Sequence, residues 1–524
     1  MTGKIVVIGA GMGGLASAAR LAALGYDVTV CEKADDVGGK ARRVEVDGAK
    51  VDAGPTVFTM RDVFDGIFNS CGAKLEDYIT VRRAEVIARH AWSMDEHLDL
   101  FADPLRSEEA IGDFAGAAAA KGYRHFRHQT RKMYDILNEP MMRGDNVSNP
   151  LPLLWRIGFW RLDAFAAMRP HQNMWKALGG FFPDPRLQQL FGRYATYCGS
   201  SPFDAPATLM LIAHVEATGV WLIEGGIHAL AVGLRKVAQS RGAEFRLGAQ
   251  VNEIRLDNAR RVTGVELASG EVIEADAVIC NADPNAIATG FFGERSQHAV
   301  KPLAPAKRSL SALVWYAHAR TSGFDLTHHN VFFSRDYPAE FAEIAAGRSP
   351  REPSVYVCAQ DRSAADAADP HAFAGQRERI QIIVNAPANG DTYSYPAQEI
   401  EKCTQEMEAT LAHCGLKLEE NMPHQVASPA VWERLFPATG GALYGRASHG
   451  SAASFLRQGP LTKVPGLYCA GGATHPSAGV PMAALSGLLA AKKTHADLAS
   501  RLRSSLVAMP GGTSMPSAQT GATG

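Results

Sequence analysis

Three glycines near the start of the chain, Gly9, Gly11 and Gly14, have the spacing that lets a backbone hold a pyrophosphate. In a G-x-G-x-x-G turn the first glycine permits a tight bend, the second lets the main chain approach the phosphates, and the third lets a helix pack closely on a strand. Ala10 lies between the first two. A carboxylate, Glu32, ends the next apolar run, followed by Lys33. An acid about twenty residues beyond the turn accepts hydrogen bonds from both hydroxyls of a ribose and repels a 2′-phosphate. The chemistry implied is binding of a dinucleotide whose adenosine ribose has a free 2′-OH.

The elements needed to position these groups are legible around them. Ile5–Ile8 is an apolar run of strand length, Leu15–Leu24 is an Ala- and Leu-rich helix, and Asp27–Cys31 is a second strand ending at Glu32. The helix N-terminus turns its dipole and free N–H groups toward the phosphates. This turn alone does not separate NAD from FAD. Gly38-Gly39-Lys40-Ala41-Arg42 and Asp52-Ala53-Gly54-Pro55-Thr56 come next. The glycine pair with its cations resembles the second signature of the glutathione-reductase-like flavoproteins, which supports an FAD pyrophosphate.

Two distant segments complete the pattern. A helix opens at Glu224-Gly225-Gly226 and reaches about Ser240, followed by short strands at Glu244–Leu247, Gln250–Leu256, Val262–Leu267, Glu271–Glu274 and Ala277–Cys280. Periodicity alone makes Val251 a core residue; the flavoprotein resemblance gives it backbone contacts to adenine. Near the C-terminus, a strand at Gly466–Ala470 enters Gly471-Gly472, then Val480-Pro481-Met482 and a helix from Ala483 to Ala491. A small-residue turn before a helix N-terminus brings backbone N–H groups to an electron-rich ring edge. Many flavoproteins place an acid in this turn. Here Gly472 and Thr474 occupy it, leaving a hydroxyl, the backbone or water for that contact.

Taken together, these blocks resemble the carotenoid desaturase (phytoene desaturase) family of FAD-dependent, amine-oxidase-like flavoproteins, over nearly the whole chain to about residue 500. The carriers include Gly38-Gly39-Lys40, Asp52–Thr56, His328–Phe333, Gly441–Gly445 and Thr474-His475-Pro476 with Gly479-Val480-Pro481. Val480–Gly487 and Leu98–Pro104 look most like the hydroxycarotenoid 3,4-desaturases. The resemblance implies FAD as cofactor, with cofactor contacts at Gly9, Ala10, Gly11, Gly14, Glu32, Lys33, Gly39, Lys40, Gly54, Pro55, Thr56, Val251, Gly471, Gly472, Val480, Pro481 and Met482. It implies a hydrophobic acyclic carotenoid as substrate, desaturated by hydride transfer to flavin, with oxygen or a quinone taking the electrons. No catalytic side chain is assigned. Arg143 and Asp145 are polar candidates, but a solvated ion pair in a turn explains them. Three alternatives stay open: multistep phytoene-type desaturation, or carotenoid isomerisation or oxygenation, on the same scaffold; a soluble amine-oxidising flavoenzyme; and a non-enzymatic FAD-binding assembly protein.

A bilayer-partitioning substrate calls for contact with a membrane surface. Lys121–Lys132 holds five basic residues and no acid, with Arg124, Arg127 and Arg131 on one helical face. Leu151–Phe182 interleaves Trp155, Phe159, Trp160, Phe165, Trp175, Phe181 and Phe182 with arginines and a lysine. Cations beside aromatics suit an interfacial helix, and a core helix with snorkelling arginines is the competing reading. Val464–Ala491 has no Asp, Glu, Lys or Arg, but its glycines and prolines would leave backbone groups unsatisfied in lipid. The expected location is cytoplasmic, on the inner face of a membrane.

Composition narrows the remaining classes. With 53 basic against 54 acidic residues, the chain is not a general polyanion binder, and no nucleic-acid module accompanies its basic segment. The 50 glycines exceed the usual share of about 7%. Its eight cysteines have no C-x-x-C pair and read as reduced core thiols. Adjacent His328 and His329 on a regular strand would face opposite sides, so no metal site is expected. The N-terminus shows no secretory signal.

The expected fold is α/β with an α+β second domain: a glutathione-reductase-like Rossmann domain with an inserted mixed-sheet substrate domain and a helical membrane-facing region. Boundaries fall at 1–90, 222–296 and 455–503 for the FAD domain, and at 91–221 and 297–454 for the substrate domain. Residues 504–524 are expected to be disordered.

Overall fold

The computed structural model describes residues 3–144, 155, 157, 158, 160–169, 171–362, 373, 375–450 and 453–507. Its nucleotide half is built on five parallel strands in the order Leu467–Cys469, Ala277–Cys280, Lys4–Ile8, Asp27–Cys31, Glu244–Arg246. The central strand Lys-Ile-Val-Val-Ile is buried on both faces after its first residue, as a parallel sheet between helices requires. Helix Met12–Ala23 packs against Ile227–Ser240 and Val480–Val507.

The register sets where a ligand can sit. Ile8 lies opposite both Cys31 and Cys280, and Cys280 lies opposite Cys469, so four strands end together. From Lys4–Ile8 the chain builds outward first on one side and later on the other, creating the crevice beyond the strand C-termini where doubly wound sheets bind ligands. A three-stranded antiparallel meander, Val251–Leu256, Val262–Leu267 and Val272–Glu274, covers one side.

A second sheet has seven strands in the order His424–Ala427, Ser311–Ala319, Glu378–Ala386, Val355–Ala359, His329–Phe332, Val86–Ala91, His97–Phe101. Among the described residues its one parallel pair is His329–Phe332 with Val86–Ala91, so the expected mixed sheet is present. The expected boundary at 90 cuts strand Val86–Ala91, which hydrogen-bonds wholly within this second sheet. Likewise, helix Val480–Val507 runs through the boundary placed at 503. A one-dimensional reading assigns a short strand to its sequence neighbours, whereas sheet membership is decided by pairing.

Candidate dinucleotide and substrate site

A cavity of about 570 Å³ opens beyond the strand C-termini and runs between the two sheets. Gly9 and Gly11 form its floor, and Gly11 is the N-cap of helix Met12–Ala23 with no side-chain cap. The first-turn N–H groups are therefore left for an anion. Glu32, 7% exposed, lines the same cavity. Its Oε2 accepts the Ala10 N–H at 2.7 Å and its Oε1 the Ala34 N–H at 2.9 Å. These bonds fix the carboxylate and leave lone pairs on both oxygens for hydroxyl donors.

Every sequence-assigned contact lines the cavity except Ala10 and Gly14. Ala10 is fully buried and acts through the N–H that holds Glu32. Gly14 packs behind the turn, against the Gly9 carbonyl. The loop carrying Gly54, Pro55 and Thr56 is pinned by the second sheet: Gln381 donates to the Gly54 carbonyl at 2.9 Å, and Tyr356 Oη donates to Thr56 Oγ1 at 2.8 Å. Gln360 exchanges two hydrogen bonds with the Asp52 backbone. The seven-stranded sheet thus fixes one cavity wall.

At the C-terminal turn the Thr474 hydroxyl is taken up within the protein. Thr474 is buried and donates its hydroxyl to the Gly471 carbonyl at 2.6 Å, away from the cavity. Gly472 lines the cavity, and a Cβ built on it would meet no protein atom within 4 Å. Lys40 stands on the wall, where burial and then Arg457 lower its pKa to about 8 against the pull of Asp283.

Several cavity residues were missed from sequence. Asn281 follows strand Ala277–Cys280 and sits among Gly9, Gly11, Gly13 and Gly471, its Oδ1 buried without a partner among the described residues. Its position just after an apolar strand was the available signal. The Rossmann turn, the uncapped helix, the fixed carboxylate and this orphaned acceptor fit an FAD nucleotide.

Beyond the glycine turns the cavity becomes apolar, lined by Met141, Met142, Leu211, Ile212 and Val215. Arg193, Tyr197 and Glu216 interrupt that lining. No local motif announces them, because they come together only when Leu211–Thr218 packs on the turn Arg193–Cys198.

The two histidines correct an expectation. The strand begins at His329, so His328 is outside the regular alternation, and ligand atoms of His328, His329 and Cys358 lie within 4.8 Å of one another. His328 Nε2 contacts Cys358 Sγ at 3.6 Å, and His329 Nδ1 pairs with Tyr356 Oη at 2.7 Å. Burial holds both imidazoles below their usual pKa and pushes the Cys358 thiol up to about 12. The described bonds brace Tyr356 against Thr56.

The basic-aromatic stretch also divides. Arg124 pairs with Glu108, and Arg131 lies 3.8 Å from Asp135. Phe181 and Phe182 are core residues, whereas Trp155 and Trp160 are exposed. Arg156 and Phe159 lie outside the described residues, as does Asp145; Arg143 pairs with Asp62. All eight cysteines are buried and free. Among the described residues no helix is long and apolar enough to cross a membrane.

A dinucleotide crevice that continues into an apolar cavity defines a flavin-dependent oxidoreductase. The chain belongs to the flavin-containing amine oxidoreductase family, whose model matches residues 12–494, and its cofactor is FAD. It is 49% identical over 99% of its length to the hydroxyneurosporene desaturase of Rubrivivax gelatinosus, covering 98% of that protein. It is 30% identical to a 1-hydroxycarotenoid 3,4-desaturase of a Flavobacterium species, over 93% of this chain and 98% of the relative. Among solved structures, an oxidoreductase from Methanosarcina mazei shares the fold with a TM-score of 0.60 at 18% identity, over 93% of this chain and 99% of that one.

Proposed function

We propose that this protein desaturates an acyclic 1-hydroxy- or 1-methoxycarotenoid, introducing the 3,4 double bond. The observation that carries this reading is near-full-length identity of 49% to a hydroxyneurosporene desaturase, in a chain whose dinucleotide crevice continues into an apolar chamber. Bound FAD supplies a two-electron hydride acceptor. The chain's own residues do the rest. Gly9, Gly11 and the uncapped helix would hold the pyrophosphate, Glu32 would hold the ribose, and Lys40, Thr56 and Gly472 line the same cavity and would contribute to its flavin-binding wall. Met141, Met142, Leu211, Ile212 and Val215 grip the polyene and exclude water, so that substrate orientation supplies much of the rate.

The amine-oxidase and assembly-protein alternatives are not favoured, because full-length relatives at 42% to 49% identity are hydroxyneurosporene desaturases. We further read the face bearing Trp155 and Trp160 as the membrane contact through which a bilayer-dissolved substrate enters, with oxygen or a quinone as electron acceptor. The test is direct: FAD-loaded protein with liposomes containing a 1-hydroxycarotenoid should shift the pigment absorption to the red by one added conjugated bond. No shift with any acyclic 1-hydroxycarotenoid would overturn the reading.

A further inference from the structure

Each desaturation removes two hydrogens, and only one leaves as hydride. The other is a proton released inside a chamber lined largely by Met, Leu, Ile and Val, where a bare charge is costly. The wall of that chamber contains a buried carboxylate. Glu216 is 2% exposed, its Oε1 accepts the Tyr197 hydroxyl at 2.6 Å, and its Oε2 accepts the Tyr194 hydroxyl.

These three residues lie between two cavities. Tyr197 lines the substrate chamber, and Tyr194 lines a second cavity of about 290 Å³; Glu216 lines both. Helix Leu211–Thr218 is the partition, with Ile212 and Val215 facing the chamber and His214 and Ala217 facing the second cavity. The second cavity reaches Arg124 and Arg131, whose side chains are 71% and 72% exposed, so it leads to solvent.

We propose that Tyr197, Glu216 and Tyr194 form the route by which the substrate proton leaves the chamber. The inference rests on the desaturase reading. One C–H bond of the substrate gives its hydrogen and both electrons to the flavin. The adjacent carbon gives a proton to Tyr197 Oη while Tyr197 passes its own proton to Glu216, and the electron pair left behind becomes the new π bond. Glu216 then hands the proton through Tyr194 to the second cavity and solvent, which restores the carboxylate. The substrate is oxidised by two electrons and the flavin reduced by two.

Arg193 anchors the route. Its Nη1 donates to Tyr197 Oη at 3.1 Å, and its Nε and Nη2 are buried without a described partner. A guanidinium does not deprotonate, so it cannot trap the proton, and its donation to Tyr197 Oη fixes that hydroxyl at the chamber end of the route. In the second cavity, burial holds half-buried His214 below its usual pKa, which leaves it a neutral acceptor.

The experiment is an anaerobic single turnover of FAD-loaded protein with a 1-hydroxycarotenoid, following flavin bleaching and, with an indicator dye, proton release. In the wild type the two signals should coincide. In Glu216→Gln and in Tyr194→Phe, the proton should lag bleaching by at least about tenfold, the scale of a lost proton-transfer group. Tyr194→Phe removes one hydroxyl at the outer end, so it separates the route from any damage to Arg193's charge balance. Proton release in step with bleaching in both variants would overturn the proposal. Wild-type flavin that no acyclic 1-hydroxycarotenoid bleaches would overturn the desaturase reading, and this proposal with it.

Discussion

A Cβ placed on Gly14 would stand 2.1 Å from the carbonyl oxygen of Gly9. That distance allows no side chain, so the helix would have to move off the strand end that carries the turn. Gly14→Ala should weaken FAD binding by about 10–100-fold, from roughly 1–3 kcal/mol of overpacking, as measured by flavin fluorescence titration. Gly472→Ala is the contrast, since its Cβ would meet no protein atom within 4 Å. The apoprotein melting temperature should be unchanged there and lowered by Gly14→Ala. Equal melting temperatures for both variants would contradict the packing argument.

Glu32 is held from behind by two backbone N–H groups, so its charge and its direction are separable. Glu32→Gln must turn an NH₂ toward the N–H of Ala10 or Ala34, which sets donor against donor. Losing charge-assisted bonds worth about 1.5–3 kcal/mol should raise the dissociation constant for FAD roughly 10–100-fold. Affinity for FMN, which has no adenosine ribose, should change little. A parallel loss for both flavins would place Glu32 elsewhere than at the ribose.

The nucleotide half was legible because its chemistry is local. Gly9 to Glu32 is one strand, turn, helix and strand in sequence, and Gly471-Gly472 repeats the strand-turn-helix logic. Asn281 escaped because a single polar residue after a strand has no pattern of its own. Val86–Ala91 was misplaced because its partner, His329–Phe332, is remote in the chain. The route through Glu216 was invisible for the same reason: Tyr194, Tyr197 and Glu216 share neither a helical stripe nor a motif. In the basic-aromatic stretch, composition showed that aromatics and cations are interleaved, but only packing separates core Phe182 from exposed Trp160.

Trp155 and Trp160 are 71% and 66% exposed, unusual for residues of their size. If this face enters the headgroup layer, each indole transfers apolar area out of water, about 1.5–3 kcal/mol for full burial of a large side chain. Replacing both with serine should lower the affinity for anionic vesicles at least about tenfold, measured by co-sedimentation. Flavin content should not change, because neither residue lines the cofactor cavity. Undiminished vesicle binding would move the membrane contact to another face.

Glu340 supplies a prediction about stability that is independent of the flavin. It is 1% exposed, and Oε2 accepts from Ser354 N at 3.0 Å, Ser354 Oγ at 2.7 Å and Ser334 Oγ at 3.0 Å. Burial outweighs these bonds and raises its pKa from 4.5 to about 7. The folded state therefore holds a proton that the unfolded chain releases between those values. Stability from this group is fully present below about pH 4.5 and falls as pH rises to about 7, by up to about 3 kcal/mol at 1.36 kcal/mol per unit. Glu340→Gln keeps an oxygen for the serine donors and removes the charge. Its melting temperature at pH 8 should exceed that of the wild type, and the difference should shrink toward pH 5. A variant less stable than the wild type at pH 8 would show that the ionised carboxylate is compensated by its donors, contrary to the raised pKa.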